Sequence, residues 1–168
     1  CLCIGTGRFL RAVLVPILAQ GKGPLSTALV QPRGRSFMEF MANQNEGTYP
    51  VDTVLATRTT AENDGGGGGE EVVETNHVPI GAAFSWGQEA DRSVFYDILP
   101  QFAGLQLIGV GITEAGLASK DTPVMQRFFE FVKVLSELYA NEWSSKRHQT
   151  ICILNTDNLS GNGNLLRR

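Results

Sequence analysis

The 168-residue sequence predicts an α/β fold: a mostly parallel sheet with helices on both faces and a β-rich hairpin insertion. Three observations lead to this prediction. Continuous apolar runs, typical of parallel strands buried on both faces, occur at residues 1–4, 105–112 and 150–155. Segments with helical spacing of apolar residues follow two of these runs, at 8–20 and 122–143. Between the two halves of the chain lie two stretches of alternating, β-branched residues.

The first forty residues predict a β-α-β unit. A short strand, "CLCI" (1–4), runs into a glycine turn, and the helix at 8–20 follows. That helix carries an apolar stripe with two leucines beside it: Phe9, Val13 and Ile17, then Leu10 and Leu14. Pro16 inside the helix is expected to kink or shorten it. The second strand is "STALVQ" (26–31).

The middle of the chain predicts a hairpin insertion at about 48–86. Its two strands are expected within 48–60 and 70–86, joined by the glycine-rich stretch 63–69. The five consecutive glycines lack the Lys-Ser/Thr pair of a phosphate loop, so we interpret them as a solvated loop.

The last third predicts a strand, a long helix and a second strand. The helix at 122–143 has Asp121 or Thr122 as a candidate cap and Pro123 in its first turn. Its apolar stripe is expected to face the sheet: Met125, Phe128, Phe129, Val132, Leu135, Leu138 and Tyr139. The strand at 150–155 precedes a polar loop at 156–164.

Composition excludes several functional classes. A net charge of −3 argues against nucleic acid as a partner, and no apolar run approaches the roughly 18 residues that a membrane span requires. The three cysteines, Cys1, Cys3 and Cys152, lack metal-ligand spacing, and His77 and His148 are isolated, so no metal site is predicted. Free thiols in apolar runs indicate a reducing compartment, either the cytoplasm or an organelle interior such as a plastid stroma.

The turn after the first strand carries the strongest chemical signal. Gly5 and Gly7 match the first two positions of a G-x-G-x-x-G dinucleotide fingerprint, and Leu10 occupies the third. The first glycine permits a tight turn, and the second allows backbone to approach a pyrophosphate. The third serves helix–strand packing, so Leu10 calls that packing into question more than the phosphate contact. The expected fold is therefore Rossmann-like.

The end of the second strand bears on which dinucleotide would bind. An acidic residue there usually contacts the adenosine ribose, but this chain has Gln31, followed by Arg33 and Arg35. Two guanidiniums suit a 2′-phosphate and favour NADP over NAD. Alternatively, they are ordinary surface arginines, and the domain holds neither cofactor.

Polar residues follow two later strands. Thr113 and Glu114 come after "LIGVGI", and Thr156, Asp157 and Asn158 come after "ICILN". Each group is either a turn former or part of a ligand site. Because these strands should be neighbours, a shared cleft at their carboxyl ends is predicted.

Together these motifs resemble the mannitol dehydrogenase family of polyol-specific long-chain dehydrogenases. The matching stretches, in order, are "GTGRFLRA", "RGRSFMEFM", "GTYPVDTV", "LIGVGITEAGLAS" and "ICILNTDNLSGNG". The resemblance implies an N-terminal Rossmann-type domain that binds NAD(H) or NADP(H). It also implies hydride transfer between the nicotinamide and a sugar alcohol or ketose.

The same resemblance assigns site residues. Asn158 falls on the asparagine that positions the substrate oxygen, where an amide N–H stabilises a developing alkoxide. The predicted cofactor-binding residues are Gly5, Gly7, Arg8, Phe9, Gln31, Arg33, Thr113, Glu114 and Asp157.

The chain departs from the family at its end. In the family, the catalytic lysine lies in a helical C-terminal domain after the "TDN" loop, whereas this sequence stops at Arg168. Residues 1–168 are therefore expected to form an incomplete N-terminal dinucleotide-binding domain that lacks the catalytic domain. The start at Cys1, within a strand, likewise indicates that part of the natural polypeptide is missing.

Three hypotheses follow for the function. The chain is the cofactor domain of a polyol dehydrogenase, a structural subunit of a larger assembly that keeps the fold without the reaction, or a sensor of NADP(H). In each case, a partner protein or the missing domain is expected to cover exposed apolar surface.

Overall fold

The computed structural model describes residues 1–20, 26–44, 46–56, 71–112, 116, 119–141 and 150–156. The strands of this part of the chain are β1 (Leu2–Ile4), β2 (Ala28–Gln31), β3 (Thr48–Ala56), β4 (Glu71–Pro79), β5 (Ala82–Ser85), β6 (Leu107–Val110) and β7 (Cys152–Asn155). A π-helical segment, Leu10–Leu14, continues as α1 (Val15–Gln20). The other helices are α2 (Ser36–Ala42), α3 (Glu89–Ile98), a 3₁₀ turn (Leu99–Phe102) and α4 (Pro123–Asn141).

Five strands form one parallel sheet in the order β5-β2-β1-β6-β7. Counted along the chain, the order of these described strands is 3-2-1-4-5, which matches the first five strands of a doubly wound Rossmann fold. The strand order reverses between β1 and β6, and ligands of such folds bind at that reversal. The predicted α/β, Rossmann-like architecture is confirmed.

The two faces of the sheet carry separate hydrophobic clusters. Along β1, Leu2 and Ile4 belong to one cluster and Cys3 to the other, as the alternation of side chains in a strand requires. The first cluster packs α3 and α4 on the sheet around a group of aromatic rings: Phe84, Trp86, Phe95 and Phe131. The second packs the helix after β1, together with α2 and the hairpin.

The proline in the first helix is accommodated by the π-helical segment. There the Val15 N–H donates to the carbonyl of Leu10, five residues back, rather than four. In this register Pro16, which has no N–H, leaves the carbonyl of Arg11 without a helical partner. The Tyr49 hydroxyl from β3 donates to that carbonyl at 2.7 Å. The hairpin therefore replaces the hydrogen bond that Pro16 removes.

The hairpin pairs β3 with β4 in antiparallel register, from Thr48 opposite Pro79 to Ala56 opposite Glu71. The prediction was wrong about the end of its second strand, because residues 82–85 form β5, which pairs with β2 in the parallel sheet. Pro79 ends the hairpin ladder, and Gly81 donates to the Thr27 carbonyl at 2.8 Å, which brings the chain alongside β2.

Both predicted helices form, but their apolar residues are divided differently between core and surface. Thr122 caps α4, because its Oγ1 accepts from the Met125 N–H at 3.3 Å. Five members of the two predicted stripes are exposed: Phe9, Val13, Ile17, Phe129 and Tyr139. Leu10 and Leu14 instead carry the buried face of the first helix. Among the described helices, none is both long and apolar enough to cross a membrane.

Candidate functional site

The turn after β1 requires glycine at its first position. Gly5 has φ +125°, and a Cβ on it would lie 2.5 Å from the carbonyl oxygen of Gly111. Two hydrogen bonds of 2.8 Å fix the turn against both neighbouring strands, from the Gly5 N–H to Val30 and from the Gly111 N–H to Ile4. Only a residue without a side chain fits between these strands.

The second glycine leaves its surroundings open. A Cβ on Gly7 would meet no atom within 4 Å, and the residue is exposed at the start of the first helix. The backbone at Gly7 is therefore accessible to a phosphate group, and it lies at the N-terminal end of the first helix. The two glycines thus have the two geometries that the fingerprint predicts, one tight and one open.

Leu10 occupies the position of the missing third glycine, and glycines of the facing segment leave room for its side chain. Its side chain is buried over β6, where a Cβ on Gly111 would lie 2.6 Å from Leu10 Cδ1. A Cβ on Gly109 would lie 2.9 Å from Leu14 Cδ2. The space for close helix–strand packing therefore comes from glycines of β6 instead of a glycine in the helix, and the turn keeps its geometry.

A cavity of about 170 Å³, called here the edge cavity, lies beyond the carboxyl ends of β2, β1 and β6. Its lining residues are Gly5, Thr6, Gly7, Gln31, Pro32, Arg33, Gly111, Ile112, Gly116 and Val124. The cavity sits at the reversal of strand order, where a doubly wound sheet binds its ligand. A larger cavity of about 390 Å³ between α1 and the hairpin is away from the strand ends.

Gln31 holds the loop at the rim of the edge cavity. It is buried, its Oε1 accepts from the Phe37 N–H at 2.9 Å, and its Nε2 donates to Ser36 Oγ at 3.2 Å. The amide therefore replaces a helix cap at the start of α2. On the other side, Arg127 Nη1 donates to the Pro32 carbonyl at 3.0 Å, and burial lowers the pKa of Arg127.

The two arginines of this loop have different surroundings. Arg33 is exposed and lines the edge cavity. Arg35 Nε lies 2.9 Å from Asp91 Oδ2, whose carboxylate is 14% exposed, and 4.0 Å from Glu39. The charge of Arg35 is already compensated, so of the pair only Arg33 faces the cavity as a cation free of an ion pair with the described residues.

The other predicted site residues fall into two groups. Arg8 and Phe9 are exposed at the start of the first helix and do not line the edge cavity. Four lie outside the described residues, so their roles stay predictions: Thr113, Glu114, Asp157 and Asn158. Sequence reasoning missed Ile112 and Val124, which close the cavity on the β6 side. The helix start at Pro123 was the available signal for Val124.

Within the described part of the chain, no group of three His, Cys, Asp or Glu residues could hold a metal ion. The polar groups that the described residues bring to the edge cavity are backbone amides, the Arg33 guanidinium, the Gln31 amide and the Thr6 hydroxyl.

Comparison with known proteins identifies a structural relative. No protein-family model matches the chain, and no curated protein matches it. A solved structure of D-sorbitol dehydrogenase in substrate-free form is similar over 99% of this chain, with a TM-score of 0.62 and 16% sequence identity. The match covers 35% of that protein, so the chain spans about a third of its length. At this identity the likeness shows a shared fold.

Proposed function

We propose that the chain is the nucleotide-binding domain of an NAD(P)-dependent polyol dehydrogenase of the mannitol dehydrogenase type. The observation that carries the proposal is the edge cavity at the strand-order reversal, with a tight turn at Gly5 and an open backbone at Gly7 beside it. The fold shared with D-sorbitol dehydrogenase supports the same reaction class.

The described residues fit such a cofactor. The open backbone at Gly7 would hold the pyrophosphate, and Gln31 and Arg33 would flank the adenosine ribose. Thr113, Glu114 and Asp157 would lie toward the nicotinamide end by their matching motifs. When bound, the nicotinamide supplies or accepts the hydride. Asn158 would donate its amide N–H to the substrate oxygen and stabilise negative charge as it develops there.

In the family that the sequence resembles, turnover needs groups from a C-terminal domain. A general acid–base for a polyol or ketose substrate would come from a further domain or a partner chain, since the match spans 35% of the D-sorbitol dehydrogenase. That domain or partner would cover the apolar side chains exposed on β7, Ile153 at 48% and Leu154 at 41%. The cysteines Cys1, Cys3 and Cys152 are free, in keeping with a reducing compartment.

The test is a titration of the purified chain with NADH and NADPH, followed by nucleotide fluorescence. We expect saturable binding of at least one nucleotide, and we expect Gly7→Val to abolish it, because the added side chain occupies the approach to the backbone. Lys133→Gln on the exposed side of α4 is the control and should bind as the parent does. Absence of binding to the parent chain would refute the proposal.

One observation favours a second candidate, a structural subunit that does not bind a cofactor. The Gln31 amide is engaged by Ser36 and Phe37 of α2, at the position where cofactor-binding domains present a carboxylate to the ribose. This candidate predicts that neither nucleotide binds and that the chain co-purifies in a larger complex from its source.

A further inference from the structure

A second cavity lies next to the edge cavity, on the α1 side of the sheet, and is called here the arginine cavity. It measures about 280 Å³ and is lined mainly by Thr6, Arg11, Ser36, Phe37, Phe40 and Tyr49. The two cavities share Thr6 as a lining residue. They are also joined by the hydrogen bond from Gln31, in the edge cavity, to Ser36. The arginine cavity therefore lies directly beside the strand ends, separated from the edge cavity by Thr6 and by the hydrogen-bonded pair Gln31 and Ser36.

Arg11 is held rigidly in this cavity. Its Nε donates to the Thr6 carbonyl at 2.8 Å, and its guanidinium carbon lies 5.3 Å from the centre of the Phe37 ring. The first contact joins the arginine to the glycine turn, and the second to α2. Both fix the plane of the guanidinium, which lowers the entropy that would be lost when its terminal nitrogens bind a ligand.

The charge of Arg11 is not compensated by the protein that surrounds it. No carboxylate of the described residues forms an ion pair with Arg11, whereas Arg35 is paired with Asp91 at 2.9 Å. The remaining polar groups of the cavity wall are the hydroxyls of Thr6, Ser36 and Tyr49. The Tyr49 hydroxyl already donates to the Arg11 carbonyl, which leaves the half-buried guanidinium and the hydroxyls of Thr6 and Ser36 to bind a ligand. A guanidinium beside such hydroxyls is suited to a phosphoryl group.

We infer that Arg11 selects NADP(H) over NAD(H) by binding the 2′-phosphate in the arginine cavity. The inference rests on the proposed function and deepens it. The two cofactors differ only by a phosphate on the adenosine ribose, and the end of β2 is the part of the fold that faces this ribose. Arg11, which the sequence places in the helix, takes the role expected of Arg33 and Arg35. Ser36 contributes a hydroxyl from the start of α2.

The test compares NADPH with NADH, and adenosine 2′,5′-bisphosphate with 5′-AMP, by calorimetry on the full chain. We expect the parent to prefer the 2′-phosphorylated member of each pair and Arg11→Gln to lose about 10- to 100-fold of that preference. Affinity for NADH and 5′-AMP should change little. Lys133→Gln removes the same charge from an exposed site and should keep the preference.

Two other results would overturn the inference. If Arg11→Gln weakens NADH and NADPH equally, Arg11 supports the turn or the pyrophosphate, and the proposed function stands without this selectivity. If the parent binds neither nucleotide, both the proposed function and the inference fail. Should Arg11→Gln not fold, Ser36→Ala tests the same cavity, with an expected loss of about 10- to 100-fold in preference, since one hydrogen bond to a charged phosphate is removed.

Discussion

Replacing Gly5 and Gly7 separately by alanine should separate folding from ligand binding. In Gly5→Ala the new Cβ would lie 2.5 Å from the Gly111 carbonyl oxygen and 3.1 Å from Leu10 Cδ1, and φ is +125°. A strained backbone of this kind costs about 1–3 kcal/mol. The clash is with backbone, so β1 and β6 must separate, which weakens the 2.8 Å bond from Gly111 to Ile4. That adds about 0.5–1.5 kcal/mol.

The expected loss for Gly5→Ala is therefore about 2–4 kcal/mol, a large part of the roughly 5–15 kcal/mol that stabilises a domain. Gly7→Ala meets nothing within 4 Å and should change stability by less than about 0.5 kcal/mol. Urea unfolding followed by fluorescence of the buried Trp86 measures both, and the NADPH titration measures binding. Equal stability loss in the two variants would refute the reasoning, because only Gly5 faces a neighbouring strand.

Three other changes test the packing around the turn. Leu10→Ala should lower the free energy of unfolding by about 2–5 kcal/mol. The double variant with Gly111→Ala should lose about 0.5–3 kcal/mol less than the two single variants together, because the new Cβ at position 111 no longer lies 2.6 Å from Leu10 Cδ1. A double-mutant cycle by urea unfolding measures this difference. Tyr49→Phe should lower the unfolding free energy by about 1–3 kcal/mol, since a carbonyl in the π-helical segment loses its donor. Tyr96→Phe is the control, because its buried hydroxyl has no hydrogen-bond partner among the described residues, and similar losses in both would contradict the assignment. Burial raises the pKa of the Cys3 thiol from 9.0 to about 11. The unfolded chain therefore loses this proton first, and stability should fall by about 2–3 kcal/mol between pH 9 and 11. In Cys3→Ala, the free energy of unfolding should therefore fall less steeply between pH 9 and 11.

The sequence predicted those elements in which the spacing of apolar residues along the chain matches the pattern of burial in the folded structure. Two of the apolar runs became β1 and β6, because a parallel strand is buried on both faces. The run at 150–155 also forms a strand, β7, but the prediction that it is buried was wrong, because β7 lies at the edge of the described sheet and its side chains are largely exposed. Two helices, α2 and α3, were not predicted. The first has seven residues and begins where the Gln31 amide caps it, and the second buries only Phe95 within its ten residues. The first is too short for its apolar spacing to be distinguished from a loop, and the second is as amphipathic as α4 but less apolar overall.

The sequence predicted those parts of the candidate site whose residues lie close together along the chain. Gly5 and Gly7 lie next to the strand they terminate, so their spacing alone located the turn. The compensation for Leu10 comes from Gly109 and Gly111, about one hundred residues later. Two glycines at i and i+2 in a strand leave one face bare, which was a readable signal. The pairing of Arg35 with Asp91 joins the loop before α2 to the first turn of α3, and no spacing along the chain predicts it.

The hairpin, expected to be an insertion beside the fold, supports the turn at which a ligand would bind. The two ends of the hairpin lie together, because the Ile80 N–H donates to the Gly47 carbonyl at 3.0 Å. The chain could therefore pass from α2 to β5 without the hairpin. Yet Tyr49 and Val78 are buried in the second cluster, and the Tyr49 hydroxyl completes the helix that Pro16 interrupts. Because Arg11 supplies the carbonyl for that bond and also holds Thr6, the hairpin and the glycine turn depend on the same residue. Changes in the hairpin should therefore reach the proposed nucleotide site through Arg11.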